Sequence, residues 1–150
     1  MKNTFIKAVY LIAIFITATS CVKEDDFAIP TLKAGFVENF NDIDYNQTFD
    51  YEGWTNFAEA GTKLWIERDY QNDGYIQFSS FQSGESLNIA WVVSPAISIN
   101  GLEQPTLSFE TASNFVTSAG NKIEVFVATD FNGTNVLGAT WNQVSATVAN

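Results

Sequence analysis

Histidine is absent from these 150 residues, cysteine occurs once, and lysine and arginine together number seven. Each scarcity closes off a class of chemistry. Nucleophilic catalysis needs a base beside the nucleophile, and no imidazole exists to serve. A Ser–Lys pair has no supporting motif, and the one thiol has another assignment, given below. So few cations provide no basic stripe to displace counterions from phosphates, which argues against nucleic acid. The same shortage argues against electrostatic docking on anionic lipid. Leu-rich heptads are few, and no convincing long helix follows the N-terminal apolar run. No internal repeat or low-complexity segment interrupts the chain.

Acid and aromatic residues are plentiful. Seventeen Asp and Glu set a net charge of −10, and the pI is about 4.1. Acidity of this kind keeps an exported protein soluble, and is also compatible with binding cations or neutral sugars. Thirteen Phe, five Tyr and four Trp make 15% of the chain aromatic. Large flat side chains with few charges suit the interior of a β-sandwich.

The N-terminus reads as an address. Lys2 and Lys7 form a basic region, and Ala8 to Ala18 an apolar one too short to span a bilayer as a mature helix. Ala18, Thr19 and Ser20 then precede Cys21, the sole cysteine. This resembles a lipoprotein signal peptide, with Ala18 where such lipoboxes usually carry Leu. The resemblance implies that residues 1–20 are removed and that Cys21 is the lipid attachment site, tying the chain to a membrane through acyl groups. Removal takes away two lysines and no acid, leaving five cations against seventeen acids and a charge of −12. Lys23, Glu24, Asp25 and Asp26 follow Cys21 and resemble a surface-export signal of Gram-negative lipoproteins. Residues 21–33 are therefore expected to be an acidic tether, and the location a lipid-anchored one on the outer membrane, facing the cell surface.

The segment from Leu87 to Ile99 organises the rest. Leu87, Ile89, Trp91, Val93, Pro95, Ile97 and Ile99 alternate with mostly small or polar residues. Period-two alternation puts the apolar set on one face of a strand, and Pro95 requires a bend or an edge near Ser94. Other strands are expected at Ala34–Phe40, Gly53–Ala58, Lys63–Arg68, Tyr75–Phe81, Thr106–Thr111, Lys122–Thr129 and Thr140–Thr147. Turns fall at Gly61, Asp73-Gly74, Ser83-Gly84, Asn100-Gly101 and Asn132-Gly133, and residues 41–50 read as a polar loop. Eight or nine short strands with Gly-containing turns predict an all-β fold, an antiparallel jelly-roll β-sandwich over residues 34–150.

Several residues carry a family likeness. They run from Phe36, Glu38 and Phe40 through Gly53-Trp54, Gly61 and Trp65 to Trp91-Val92-Val93-Ser94-Pro95-Ala96-Ile97. Leu107-Ser108-Phe109-Glu110-Thr111, Val125, Val127, Thr129-Asp130, Gly133 and Trp141 complete the series. The chain from Ala34 onward resembles the choice-of-anchor J domain, a jelly-roll sandwich related in shape to MAM-type and carbohydrate-binding modules. Domains of that family continue past the Trp141 strand. The resemblance thus implies missing closing strands, with an exposed edge or apolar patch beside the longest strands.

Three kinds of chemistry are open. Tyr51, Trp54 and Tyr70, beside Asn56, Asp69 and Asn72, are candidate ligand-binding residues, with the aromatic rings as stacking platforms for a glycan. Trp65 and Trp91 lie in apolar strands and are expected in the core, each worth about 2–3 kcal/mol of burial. Glu38, Asn41, Asp42 and Asp44 are candidate oxygen ligands for a structural calcium, the cofactor this sequence could hold. Glu110 and Glu124 are the best carboxylate pair for a glycosidase, although strand alternation turns both outward. The expected function is non-catalytic binding of an extracellular ligand such as a glycan, with no catalytic residues. The alternative is a structural or adhesive accessory that contacts a partner protein, and a glycoside hydrolase is the third reading.

Overall fold

Which segments become strands depends on which find a neighbour for their main-chain hydrogen bonds. The computed structural model describes residues 34–42 and 44–149. Within them run six strands: β1 (Thr55–Ala60), β2 (Ile66–Tyr70), β3 (Asp73–Gln77), β4 (Ile89–Val93), β5 (Val125–Val127) and β6 (Asn142–Val144). One short 3-10 turn, Val136–Gly138, lies between β5 and β6. All pairings are antiparallel and form three two-stranded ribbons, β1–β4, β2–β3 and β5–β6. The described residues are thus all-β and antiparallel. None of their helices is long and apolar enough to cross a membrane. The signal peptide, Cys21 and the tether lie outside the described residues.

Ribbon β1–β4 is built on the organising segment. Phe57 lies opposite Trp91 and Thr55 opposite Val93, with a bulge between Ala58 and Ala60. Trp91 packs on Phe126 of β5 at 5.2 Å and on Trp141 at 5.3 Å between ring centroids. Its indole N–H donates to Glu59 at 2.7 Å. Asn56, from the opposite side of β1, binds the main chain on both sides of a gap. Its amide donates to the Phe49 and Trp65 carbonyls, and its oxygen accepts the Trp65 N–H. Trp65 also donates its indole N–H to the Ala90 carbonyl. Trp65 and Trp91 therefore join ribbons, but both are half-buried rather than in the fully buried core expected of them, and Trp65 lies just ahead of β2.

Ribbon β2–β3 gains a third, shorter edge. Thr48 bridges Ile66, and hydrogen bonds run from Asn46 N–H to the Glu67 carbonyl, from Glu67 N–H to the Gln47 carbonyl and from Phe49 N–H to the Trp65 carbonyl. This segment carries Phe49, only 1% exposed. Phe49 is the centre of an aromatic cluster with Phe40 (5.8 Å), Tyr51 (4.9 Å) and Trp54 (5.6 Å). Val136, 2% exposed, is the other fully buried apolar residue among those described.

Several expected strands are absent or moved. Residues 34–40 are not a strand, because side chains take the main-chain donors: Glu38 accepts the Phe40 N–H and Asn39 the Asn41 N–H. Phe40 is consequently left-handed, φ 53°. That conformation costs about 1–2 kcal/mol, which contacts with Phe49, Tyr51 and Trp54 offset. Residues 106–111 are irregular, with Leu107 and Phe109 exposed. No neighbouring strand accepts their ladder among the described residues. The organising segment is a strand only over β4. Beyond it Pro95 has no N–H to give, and Ile97 and Ile99 are exposed. β4 pairs with β1 alone, and Leu87, Ile89, Ile97 and Ile99 are all exposed at its flanks. In the 122–129 segment the aromatic contact is made by Phe126, whereas Val127 is exposed. Ile123 and Val125 of the expected face are half-buried nonetheless, so that face is covered only in part.

The β2–β3 turn is also displaced from Asp73-Gly74 to Gln71-Asn72, both left-handed at φ 57° and 65°. Two such residues make the type I′ turn whose twist matches a hairpin. Gly74 lies within β3 and serves another purpose. A Cβ there would collide with the Phe40 carbonyl, and its N–H donates to Asn41 at 2.9 Å. Segment 40–41 therefore packs directly against one face of the hairpin.

Candidate functional site

Hairpin β2–β3 has two unlike faces, and register decides which residues share each. Ile66 pairs with Gln77, Arg68 with Tyr75 and Tyr70 with Asp73. Glu67 pairs with Ile76 and Asp69 with Gly74. Directly opposed residues point the same way. The Glu67–Gly74 face is the covered one. Glu67 is 4% exposed, and its carboxylate accepts the N–H groups of Asp44 (2.5 Å) and Asp50 (3.3 Å). A buried charge needs such partners, and here they fasten both ends of the 44–50 segment to β2.

The other face is open. It presents Arg68, Tyr70, Asp73, Tyr75 and Gln77, with Asn46 and Tyr45 beside them. Tyr45, Tyr70 and Tyr75 are 62%, 68% and 42% exposed. Arg68 lies among them, its guanidinium carbon 5.5 Å from the Tyr45 ring centre. Its Nε donates to Gln77 at 3.0 Å and its Nη1 to Asn46 at 2.6 Å. Both acceptors are neutral amides. Three aromatic faces, an oriented guanidinium and amide side chains on a rigid hairpin can stack on sugar rings and hydrogen-bond hydroxyl groups.

The sequence-selected ligand residues divide between two places. Tyr70 belongs to this open face, with Asn72 in its turn. Asp69 is exposed, but its register puts it with Gly74. Tyr51 and Trp54 do not join them as surface platforms. Both are half-buried in the Phe49 cluster, and Trp54 also meets Phe36 at 6.2 Å and Phe40 at 5.5 Å. Gly53, at φ 81°, completes the turn that drives them inward, closed by Trp54 N–H on the Tyr51 carbonyl. Asn56 is used wholly on the main chain. Sequence reasoning missed Tyr45, Arg68 and Tyr75. A usable signal existed: Arg68 is the chain's only arginine, with tyrosines within a few residues on both sides.

The Tyr51 hydroxyl is buried with no hydrogen-bond partner. Burial first, and then the negative charges of Glu67, Glu38 and Asp42, push its pKa up to about 12, partly opposed by the Asp42 main chain. The proposed calcium ligands do not assemble. Glu38 accepts the Phe40 N–H and Asn41 accepts the Gly74 N–H. No group of three acids suited to a metal forms among the described residues. Local hydrogen bonding has claimed oxygens that a cation would need.

The carboxylate pair fares no better. Glu110 lies in the exposed irregular segment, and Glu124 is held by Lys122 at 2.8 Å and Gln143 at 3.1 Å. An open groove of about 210 Å³ beside Glu124 is lined by Ile123, Val125, Val144 and Val148, and Glu110 is not part of it. Asp130 accepts the Thr140 N–H with both oxygens, at 2.9 and 3.1 Å, and this lowers its pKa. Comparison with known proteins finds no matching family, curated protein or solved structure.

Proposed function

We propose that the chain is a non-catalytic glycan-binding module of the cell envelope, and that its binding surface is the open face of hairpin β2–β3. One observation carries this reading: Tyr45, Tyr70 and Tyr75 stand exposed around Arg68 on a hairpin whose other face is fixed by Glu67 and by the Phe40–Asn41 main chain. Exposed aromatic faces leave apolar surface in water, and a stacking ligand covers it. On this reading the three ribbons are parts of a jelly-roll sandwich of the choice-of-anchor J kind. The Trp91–Phe126–Trp141 contacts between β4, β5 and the start of β6 support it. Cys21 is the proposed lipid attachment site, on the outer membrane and facing the cell surface. Labelling of cells with a radioactive fatty acid should tag the chain, and Cys21→Ser should abolish the tag.

A glycan array tests the binding surface. Wild-type protein should bind a subset of glycans. Tyr70→Ala and Tyr75→Ala should each weaken that binding about tenfold, with unchanged melting, since a stacking contact is worth about 1 kcal/mol or more. Binding unaffected by both changes would rule this face out. The second reading, an accessory that contacts a partner protein, is favoured by the exposed Leu87, Ile89, Ile97 and Ile99 beside β4. A blank array would move weight to it.

A further inference from the structure

The glycan-binding reading leaves the ligand's class open, and the state of Arg68 bears on it. The ion pair found among the described residues is Lys122 with Glu124. Arg68 has no carboxylate within ion-pair distance there. Two of its five N–H groups are held by Gln77 and Asn46, and the Tyr45 ring covers one side of its plane. Both hydrogens of Nη2 and one of Nη1 are left free. The guanidinium is thus charged, oriented and half-buried before any ligand arrives, so little rotamer entropy is lost when it binds one. A fork of this geometry matches a planar carboxylate through two parallel hydrogen bonds.

We infer that the open face of hairpin β2–β3 takes an acidic glycan, with Arg68 receiving a uronate carboxylate while Tyr70 and Tyr75 stack on adjacent rings. The inference rests on the glycan-binding reading above and narrows it. The chain's net charge of −10 works against an anion only at long range, because salt screens exposed charges beyond about 8 Å at physiological ionic strength. Within contact distance, the un-neutralised guanidinium dominates. Asp73, on the same face opposite Tyr70, repels an anion from the turn end and so favours placement of the carboxylate toward Gln77.

The test compares an oligogalacturonate with its methyl ester by titration calorimetry on the full-length chain. Wild type should bind the free acid about tenfold or more tightly than the ester, the worth of a charge-assisted bidentate contact. Arg68→Gln should erase that preference, and Arg68→Lys should keep part of it, since the charge stays and the fork is lost. Tyr70→Ala should weaken acid and ester alike. Equal affinity of wild type for acid and ester, or preference for neutral glycans, overturns the inference and leaves the platform standing. Failure to bind any glycan overturns both. The acid–ester comparison on wild type decides the matter even if Arg68→Gln disturbs the hairpin.

Discussion

At Gly74 the absent side chain is what allows a second layer. The Phe40 carbonyl occupies the space a Cβ would need, so Gly74→Ala must move main chain rather than a flexible tip. It should destabilise by about 1–3 kcal/mol, read as a shift in the urea midpoint. Glu67 carries a complementary role. Glu67→Gln keeps the shape but offers one acceptor oxygen where two main-chain donors are bound. A loss of about 1–2 kcal/mol is expected, with faster hydrogen exchange at Asp44 and Asp50. Tyr51 runs the other way. Its hydroxyl is buried without a partner, so Tyr51→Phe should be neutral or stabilising by up to about 1 kcal/mol. The same substitution should remove a tyrosine ionisation near pH 12 from the absorbance titration.

At the scale of elements, the hairpin turn sets what the open face can present. Gln71 is held left-handed at φ 57°, where a long side chain costs about 1 kcal/mol. The double change Gln71→Asn and Asn72→Gly supplies the preferred type I′ pair. It should raise stability by about 0.5–1 kcal/mol in thermal unfolding. Much of this element was legible in the sequence. The sequence placed strands that overlap β1 to β4 with shifted ends, whereas Trp65 and Trp91, expected in the core, are half-buried and join ribbons instead. Other features lay beyond period-two reading. Phe49 sits within a polar run from Asn41 to Asp50, and only its neighbours across the fold make it central. Gly74 looked like a turn residue because a glycine serving a turn and one serving close packing are the same letter. Residues 34–40 alternate well, yet Glu38 and Asn39 hydrogen-bond their own main chain and defeat the strand. The open face was half visible. Tyr70 was identifiable as a candidate, but grouping it with Tyr45, Arg68 and Tyr75 requires the register of β2 on β3 and the 46–49 edge.

For the whole molecule, two groups shape the pH response from opposite ends. Asp130 is depressed below its usual 3.8 by the Thr140 N–H. The stability it confers is therefore full above that value and is lost as the pH falls through the lower folded pKa. Tyr51 is raised, so the unfolded chain ionises first, near pH 10, and stability declines from there until the folded hydroxyl titrates at about 12. Thermal melts across pH should show both flanks, and Tyr51→Phe should flatten the alkaline one. Neither group lies on the open hairpin face, so binding and stability respond to separate residues. The central claim is that ligand meets the chain on that face. Amide and side-chain NMR shifts, followed while an oligogalacturonate is titrated in, test it most directly. The account predicts perturbations concentrated at Tyr45, Asn46, Arg68, Tyr70, Tyr75 and Gln77, with the Trp91–Trp141 region silent. Perturbations centred on the Trp91–Trp141 region or the groove beside Glu124, with the hairpin unmoved, would contradict it.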